Sequence, residues 1–155
     1  MRMNVIVSAF ALALLALILP VHAAGEKSDS KVKAKAKAGK IGADGKQNVT
    51  ITIDIDKDWY IYANPVRAED FEDNKTRVTI KTKQKLERFE VVYPTGKEKA
   101  VGKIKMNIYE KSVTIEALVK RAPGDTGPLQ VSIDVNSCSQ KGICLLPGTV
   151  KLTVP

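Results

Sequence analysis

The sequence predicts an all-β protein that folds as a single antiparallel β-sandwich. Seven or eight short segments alternate apolar with polar side chains, which is the period of strands with one buried face. Glycine, proline, asparagine and aspartate cluster between these segments and indicate turns. Residues 24–155 show no helical periodicity, and this length of about 130 residues is enough to bury one substantial core.

Residues 1–23 have the features of a secretory signal peptide and are not expected to belong to the fold. Arg2 gives a positive start, residues 5–19 form an almost unbroken apolar run, and Pro20 ends that run before the small residues near Ala23. The run is shorter than the roughly twenty residues that a membrane span needs. We therefore expect cleavage near Ala23, export to the periplasm or beyond, and a mature domain that does not span the membrane.

Two strands are expected to open the domain, after a flexible leader over residues 24–30. Residues 31–38, KVKAKAKA, alternate lysine with small apolar side chains, as a protected edge strand does. A basic low-complexity tail is the alternative, but the glycines within residues 39–45 favour a turn into a second strand. Residues 48–54, NVTITID, predict that strand, with three β-branched side chains facing inward.

An aromatic cluster at residues 59–62, WYIY, follows a short turn. If this segment is a strand, alternation sends Trp59 to one face and both Tyr60 and Tyr62 to the other. Aromatic side chains in a β domain most often pack in the core. A tyrosine, however, has a polar tip that also suits the edge of a site.

Five further segments continue the alternation toward the C-terminus. They are residues 77–82, 89–93, 107–119, 129–135 and 149–154. Residues 94–105 interrupt the pattern, because they are rich in glycine and lysine and contain no aromatic side chain. The sequence therefore predicts a loop over residues 94–105.

The composition excludes several kinds of site. His22 is the only histidine and belongs to the signal peptide, so the mature chain has no imidazole for Ser-His-Asp or Cys-His catalysis. Two cysteines alone make a poor zinc site, and Met106 is the only mature methionine that could support copper binding. The net charge of +8 comes from lysines spread along the chain, which argues against a nucleic-acid partner. We expect neither a metal nor a cofactor.

The remaining chemistry belongs to Cys138 and Cys144, the only two cysteines. A strand over residues 131–135 leads to the first, and Gly142 allows the chain to turn back toward the second. In an oxidising compartment two cysteines most simply form one disulfide. The five intervening residues do not make the C-x-x-C redox motif. Lys141 would favour a thiolate at Cys144 electrostatically, and its alternative is a solvated turn lysine.

Two motifs resemble the N-terminal periplasmic domain family of the thiol:disulfide interchange protein DsbD. Residues 58–65, DWYIYANP, are similar to that family's GW-x-IYANP signature. Residues 138–147 are similar to its C-x5-C-x-x-P segment. The resemblance covers roughly residues 30–155, and it implies an immunoglobulin-like sandwich over residues 31–155.

The resemblance also implies roles for individual residues. Cys138 and Cys144 match the redox pair, and Cys144 matches the cysteine that forms the mixed disulfide with partners. Tyr60 and Tyr62 match tyrosines that border the pair. In the family this domain receives electrons from a membrane-embedded domain and passes them to periplasmic thioredoxin-like proteins, a route linked to cytochrome c biogenesis. Because this chain stops at Pro155, we expect its membrane electron donor to be a separate polypeptide.

The chain departs from the family where an aromatic side chain caps the disulfide. The corresponding loop, residues 94–105, offers only Val101 and Ile104 as sizeable apolar side chains, and Leu146 replaces a proline beyond the pair. An aliphatic side chain covers less surface than a phenyl ring. We therefore expect Cys144 to be partly accessible to solvent.

Two functions of different classes remain open from the sequence. In the first, the chain is an exported module that relays electrons through the cysteine pair. In the second, it is a secreted binding or structural domain whose disulfide only pins a hairpin. A closed loop this short would contribute about 2–2.5 kcal/mol by loop-entropy estimates, which is useful but not essential for a domain of this size.

Overall fold

The alternating pattern produces β-strands along residues 25–155, the part of the chain that the computed structural model describes. Eleven strands and two short 3₁₀ helices lie within those residues. The strands are β1 (Val32–Ala38), β2 (Lys46–Ile55), β3 (Trp59–Tyr62), β4 (Arg77–Lys81), β5 (Arg88–Val92), β6 (Lys97–Val101), β7 (Ile104–Glu110), β8 (Ser112–Lys120), β9 (Leu129–Val135), β10 (Ser137–Ser139) and β11 (Gly148–Val154). The 3₁₀ helices are Ser28–Lys31 and Glu69–Asn74. The predicted signal peptide, residues 1–23, lies outside the described residues.

The strands form three antiparallel sheets around one main core. The first sheet has the order β1-β2-β8-β5, the second β11-β9-β4 and the third β10-β3-β7-β6. Apolar side chains of the first and second sheets share the core, and Ile61 of β3 and Tyr109 of β7 join it from the third. The fully buried aliphatic residues of this core include Val49, Ile51, Ile53, Ile115, Val119, Leu129, Val131 and Ile133. The antiparallel β-sandwich predicted from the sequence is confirmed.

The third sheet has a second buried face, away from the main core. Its side chains form what we call the tyrosine cluster, with contributions from β3, β7, β10 and the segment that follows β3. The members are Tyr60, Tyr62, Val66, Met106, Ile108 and Cys138, with Ala68 and Phe71 packed against them. The third sheet therefore contributes to two apolar clusters, and one of them contains a cysteine.

Residues 94–105 contain a β-hairpin, so the prediction of a loop over this segment was wrong. β6 and β7 pair in register, and Gly102 makes the turn between them with a φ of +62°. β6 is an edge strand whose side chains are mostly exposed on both faces. A strand without a buried face has no apolar alternation, so its backbone pairing leaves no sequence signal.

The segment at residues 107–119, predicted as one stretch of strand, is divided between two sheets. Lys111 has a φ of +65° and separates β7 in the third sheet from β8 in the first. Apolar and polar side chains alternate on both sides of Lys111. The pattern alone therefore did not indicate where the chain changes sheet.

Part of the predicted flexible leader packs against the folded domain. Ser28 is fully buried, and its Oγ accepts a hydrogen bond of 2.8 Å from the backbone N–H of Ser137. The N–H of Ser28 donates to the carbonyl oxygen of Leu146 at 2.8 Å, and the N–H of Leu146 donates to that of Glu26 at 3.2 Å. We call residues 26–31 the N-terminal strap. Its contacts are long-range, which is why the sequence pattern did not predict them.

Truncation of Ile51, which is fully buried in the main core, should lower the free energy of unfolding. We expect Ile51→Ala to cost about 2–5 kcal/mol, because it removes buried methyl groups and leaves a cavity. Chemical denaturation followed by circular dichroism measures the change. Lys35→Ala, on an exposed position of β1, should change stability by less than about 0.5 kcal/mol. Similar losses in both variants would contradict the placement of the core.

Candidate functional site

Cys138 and Cys144 are joined by a disulfide across a tight reversal of the chain. The sulfur atoms are 2.06 Å apart and the Cα atoms 4.0 Å apart. Backbone hydrogen bonds hold the reversal on both sides of the bridge. Inside the loop the N–H of Ser139 donates to the carbonyl oxygen of Ile143 at 2.8 Å, and outside it the N–H of Leu145 donates to that of Ser137 at 3.0 Å. Gly142, with a φ of +85°, occupies the turn in a conformation that favours glycine. The hairpin therefore has its own backbone support, independent of the sulfur–sulfur bond.

The two sulfur-bearing residues have opposite environments. Cys138 lies in β10 within the tyrosine cluster and is only 1% exposed. Cys144 lies after the turn and is exposed to solvent. A thiolate can attack only a sulfur that it can reach, and it displaces the other sulfur as the leaving group. Of the two bridged residues, Cys144 is therefore the one that solvent reaches, and Cys138 is the one that the domain buries.

The two tyrosines predicted to border the pair lie on the same side of β3 as Cys138. β10 pairs with β3 so that Cys138 is opposite Tyr60. The hydroxyl of Tyr62 lies 3.4 Å from the Sγ of Cys138, and in the disulfide form only the phenol has a proton to donate. Tyrosine hydroxyls are protonated at neutral pH, and burial raises the pKa of both tyrosines further above that range. A protonated phenol at this position can donate a hydrogen bond to a thiolate that forms on Cys138.

Trp59 faces away from the disulfide, as strand alternation predicts. Its side chain packs against the main core, and the Nζ of Lys31 lies 5.0 Å from its ring centroid. β3 therefore divides its aromatic residues between the core and the cysteine site.

Phe71 is a member of the site that the sequence analysis missed. It lies in the 3₁₀ helix Glu69–Asn74, and its ring stacks on that of Tyr62 with centroids 5.3 Å apart and planes 17° apart. Such aromatic pairs contribute about 0.5–1.5 kcal/mol beyond simple area burial. The sequence feature that could have indicated Phe71 is its position as the only aromatic residue within an acidic stretch, residues 69–73. The contact supports the ring that holds the hydroxyl next to Cys138.

Polar side chains, also missed, form a short network at the edge of the site. The Nζ of Lys99 donates to the Oε1 of Gln140 at 2.6 Å and lies 5.0 Å from the ring centroid of Tyr60. The Nε2 of Gln140 donates to the Oε1 of Glu110 at 2.7 Å. The hydrogen bond from Lys97 lowers the pKa of Glu110, with a further contribution from Gln140, so this carboxylate stays ionised. The network fixes Lys99 beside the tyrosines.

A cavity of about 440 Å³ opens next to Cys144. Its lining includes Tyr60, Tyr62, Phe71, Lys99, Val101, Met106, Lys141 and Cys144. Of the two aliphatic candidates for a cap, Val101 lines the cavity and is 49% exposed, whereas Ile104 does not line it. The β6–β7 hairpin thus reaches the site through its tip but leaves Cys144 exposed.

Residues 25–155 contain no group of three or more His, Cys, Asp or Glu side chains arranged to hold a metal ion. Within the same residues, no helix has the length and apolar character needed to cross a membrane.

Comparison with known families gives a match over residues 27–155. The matching family is described as "Thiol:disulfide interchange protein DsbD, N-terminal". The match covers both motifs on which the sequence resemblance depends. A comparison with curated protein sequences found no match.

Three solved structures share the fold at low sequence identity. The N-terminal periplasmic domain of ScsB from Proteus mirabilis is 18% identical with a TM-score of 0.54, and the match covers 78% of this chain but 44% of that chain. The reduced DsbD N-terminal domain of Neisseria meningitidis is 15% identical with a TM-score of 0.52, over 81% and 85% of the two chains. A third structure is the complex between the DsbD and PilB N-terminal domains from the same organism. It is 13% identical with a TM-score of 0.54, and the match covers 83% of this chain and 85% of that chain. The shared architecture is the immunoglobulin-like β-sandwich that the resemblance implied.

Removal of the Tyr62 hydroxyl should slow the opening of the disulfide. We expect Tyr62→Phe to reduce the second-order rate of reduction by glutathione by about tenfold or more, because a hydrogen bond to a charged group contributes about 1.5–3 kcal/mol. The rate can be followed by quenching with a thiol-blocking reagent and mass spectrometry. Tyr60→Phe is the matched control, since no hydrogen bond joins its hydroxyl to a sulfur among the described residues. An equal effect of both substitutions would contradict this role of Tyr62.

An aromatic side chain at the hairpin tip should protect the bridge. We expect Val101→Phe to slow reduction by glutathione several-fold, because a phenyl ring at this position covers more of the cavity beside Cys144. Ile104→Phe, which adds the same ring outside the cavity lining, should leave the rate unchanged. If Val101→Phe has no effect, the β6–β7 tip does not limit access to the sulfur.

Proposed function

The chain belongs to the family of the N-terminal domain of the thiol:disulfide interchange protein DsbD, and from this premise we propose that it relays electrons between separate proteins through Cys138 and Cys144. Family membership and the disulfide together support a thiol:disulfide interchange module. The observation that carries the relay proposal is the asymmetry of the pair. One sulfur is presented to solvent and the other is buried beside a hydrogen-bond donor.

Reduction of the pair begins with a partner thiolate. It attacks the Sγ of Cys144, the bond between Cys144 and Cys138 breaks, and Cys138 leaves with the electron pair as a thiolate. The product is a mixed disulfide between Cys144 and the partner. The Tyr62 hydroxyl, 3.4 Å from the Sγ of Cys138, donates a hydrogen bond to the released thiolate.

A second thiolate of the same partner completes the exchange. It attacks the partner's own sulfur in the mixed disulfide and releases Cys144 as a thiolate, so the partner becomes a disulfide and this chain a dithiol. Two electrons pass in each complete exchange. Lys141, three residues before Cys144 and in the lining of the same cavity, favours the released thiolate electrostatically. The same steps in reverse deliver the electrons to an oxidised partner.

The proposed partners are periplasmic thioredoxin-like proteins and a separate membrane protein that donates electrons. The ScsB relative is a periplasmic domain by its description, and the Neisseria relative forms a complex with a PilB domain. These facts, together with the predicted signal peptide over residues 1–23, support a periplasmic or extracellular location for this chain. A connection with cytochrome c biogenesis stays a prediction from the family resemblance.

A purely structural role for the disulfide is the competing function. The hairpin, however, already has backbone support: the N–H of Leu145 donates to the carbonyl oxygen of Ser137 at 3.0 Å, and the N-terminal strap binds Leu146. A bridge that closes so short a loop adds only about 2–2.5 kcal/mol by loop-entropy estimates. The backbone contacts therefore support a disulfide that can open without loss of the fold.

Removal of both cysteines tests the two functions against each other. We expect the variant with Cys138→Ala and Cys144→Ala to give a folded β domain with a cooperative unfolding transition and no disulfide exchange. Circular dichroism and denaturation measure the fold, and exchange with a reduced thioredoxin-like protein measures the chemistry. Failure of the double variant to fold would favour the structural role.

The single variants test which sulfur the partner attacks. We expect Cys138→Ser, which leaves the exposed Cys144, to trap a mixed disulfide with an oxidised or activated partner on non-reducing gels. Cys144→Ser leaves only the buried Cys138 and should trap little or none. Equal trapping by both variants would contradict the asymmetry on which the relay mechanism depends.

A further inference from the structure

The surface around Cys144 has an apolar centre. Ile143, the residue before it, is 62% exposed, and Leu146, two residues after it, is 52% exposed. Val101 at the tip of the β6–β7 hairpin lines the cavity beside Cys144. Large exposed apolar side chains close to one reactive sulfur are typical of a surface that contacts another protein.

Two cationic side chains lie close to Cys144. Lys99 and Lys141 line the cavity beside Cys144, and none of the described lining residues is acidic. The hairpin from residue 97 to residue 105 contains four lysines and one glutamate. Lys97 and Lys105 form ion pairs with Glu110 and Glu98, at 3.0 Å each.

The two cavity lysines have no ion-pair partner among the described residues. Lys99 instead donates to the neutral amide of Gln140 at 2.6 Å and lies over the ring of Tyr60. Glu110, the carboxylate bound to the other end of Gln140, also pairs with Lys97. Among the described residues, Lys99 and Lys141 are therefore the only charged side chains in the cavity lining, which the acidic stretch at residues 69–73 meets only through Phe71. The contacts of Lys99 also hold that charge in place beside the tyrosines.

We infer that the Cys144 surface selects thiol proteins whose reactive cysteine is flanked by carboxylates. This inference rests on the proposed relay function and adds the chemical class of its partner. The attacking group is itself an anion, and carboxylates next to it would be attracted by Lys99 and Lys141 as the two sulfurs approach. The apolar residues Ile143 and Leu146 would contact the partner around the sulfur. An oppositely charged rim on the partner completes the contact.

Short cysteine peptides of different charge provide the test on the full mature chain. The probes are the acetylated, amidated tripeptides Glu-Cys-Glu, Gln-Cys-Gln and Lys-Cys-Lys, and each reduction rate is normalised to the thiolate concentration of its peptide. At an ionic strength of 0.01 M, where the Debye length is about 30 Å, the acidic peptide should react about tenfold faster than the basic one. The neutral peptide should lie between them. At 1 M salt, where the Debye length is about 3 Å, the three rates should converge.

Charge-neutralised variants show which lysines cause the dependence of the reduction rate on peptide charge. In the double variant Lys99→Gln and Lys141→Gln, the ratio of acidic to basic peptide rates should fall to within about twofold of one. The matched control removes the same charge from β1 with Lys35→Gln and Lys37→Gln, which line no part of the cavity. In this control variant, the acidic peptide should still react several-fold faster than the basic peptide at low salt.

Three outcomes would overturn the inference. They are equal rates for the three peptides at low salt, a preference for the basic peptide, and equal loss of selectivity in both double variants. The last outcome would assign the selectivity to the net charge of the whole chain. Each leaves the relay function intact, provided that the neutral peptide opens the disulfide and Cys138→Ser traps a partner. If the neutral peptide fails to open the disulfide, the relay function itself fails.

Discussion

The antiparallel pairing of β10 with β3 is the contact on which the cysteine site depends. It sets Cys138 opposite Tyr60, and the pleat of β3 then places Tyr62 on the same face. The next residue of β3 on the other face, Ile61, is fully buried in the main core. Four consecutive residues therefore anchor the strand in the core and build one wall of the site. The position of the buried sulfur is set by the same packing that stabilises the domain.

The cysteine hairpin is held by backbone hydrogen bonds as well as by the disulfide. Backbone hydrogen bonds hold the reversal around Gly142, and the N-terminal strap binds the chain just beyond Cys144. Thiol–disulfide exchange requires an accessible sulfur, a leaving sulfur and room for the attacking thiolate. Under the proposed relay function, this β-sandwich would supply all three without a thioredoxin fold, because backbone hydrogen bonds hold the hairpin in addition to the disulfide.

The two sides of the disulfide use different physical interactions. Cys138 lies among aromatic and aliphatic side chains, where burial raises the pKa of tyrosine hydroxyls that are already protonated at neutral pH and available as donors. Phe71 supports that side by stacking on Tyr62. Around Cys144 the surface is open, and Lys99, Lys141 and the aliphatic Val101 line the adjoining cavity. In the proposed relay, the buried side would stabilise the leaving thiolate, and the exposed side would control access and partner choice.

The sequence by itself determined the sandwich, the absence of histidine from residues 25–155 and the face shared by Tyr60 and Tyr62. These properties are local: a period of two identifies strands with one buried face, and composition excludes residue types outright. The tertiary structure alone decided that β6 is a strand, that the N-terminal strap binds Leu146, and that Phe71 and Lys99 join the site. Each of these depends on contacts between residues far apart in the chain or on an edge strand with no buried face. The difference in exposure between Cys138 and Cys144 was decided in the same way, because burial of a side chain depends on which distant elements pack over it.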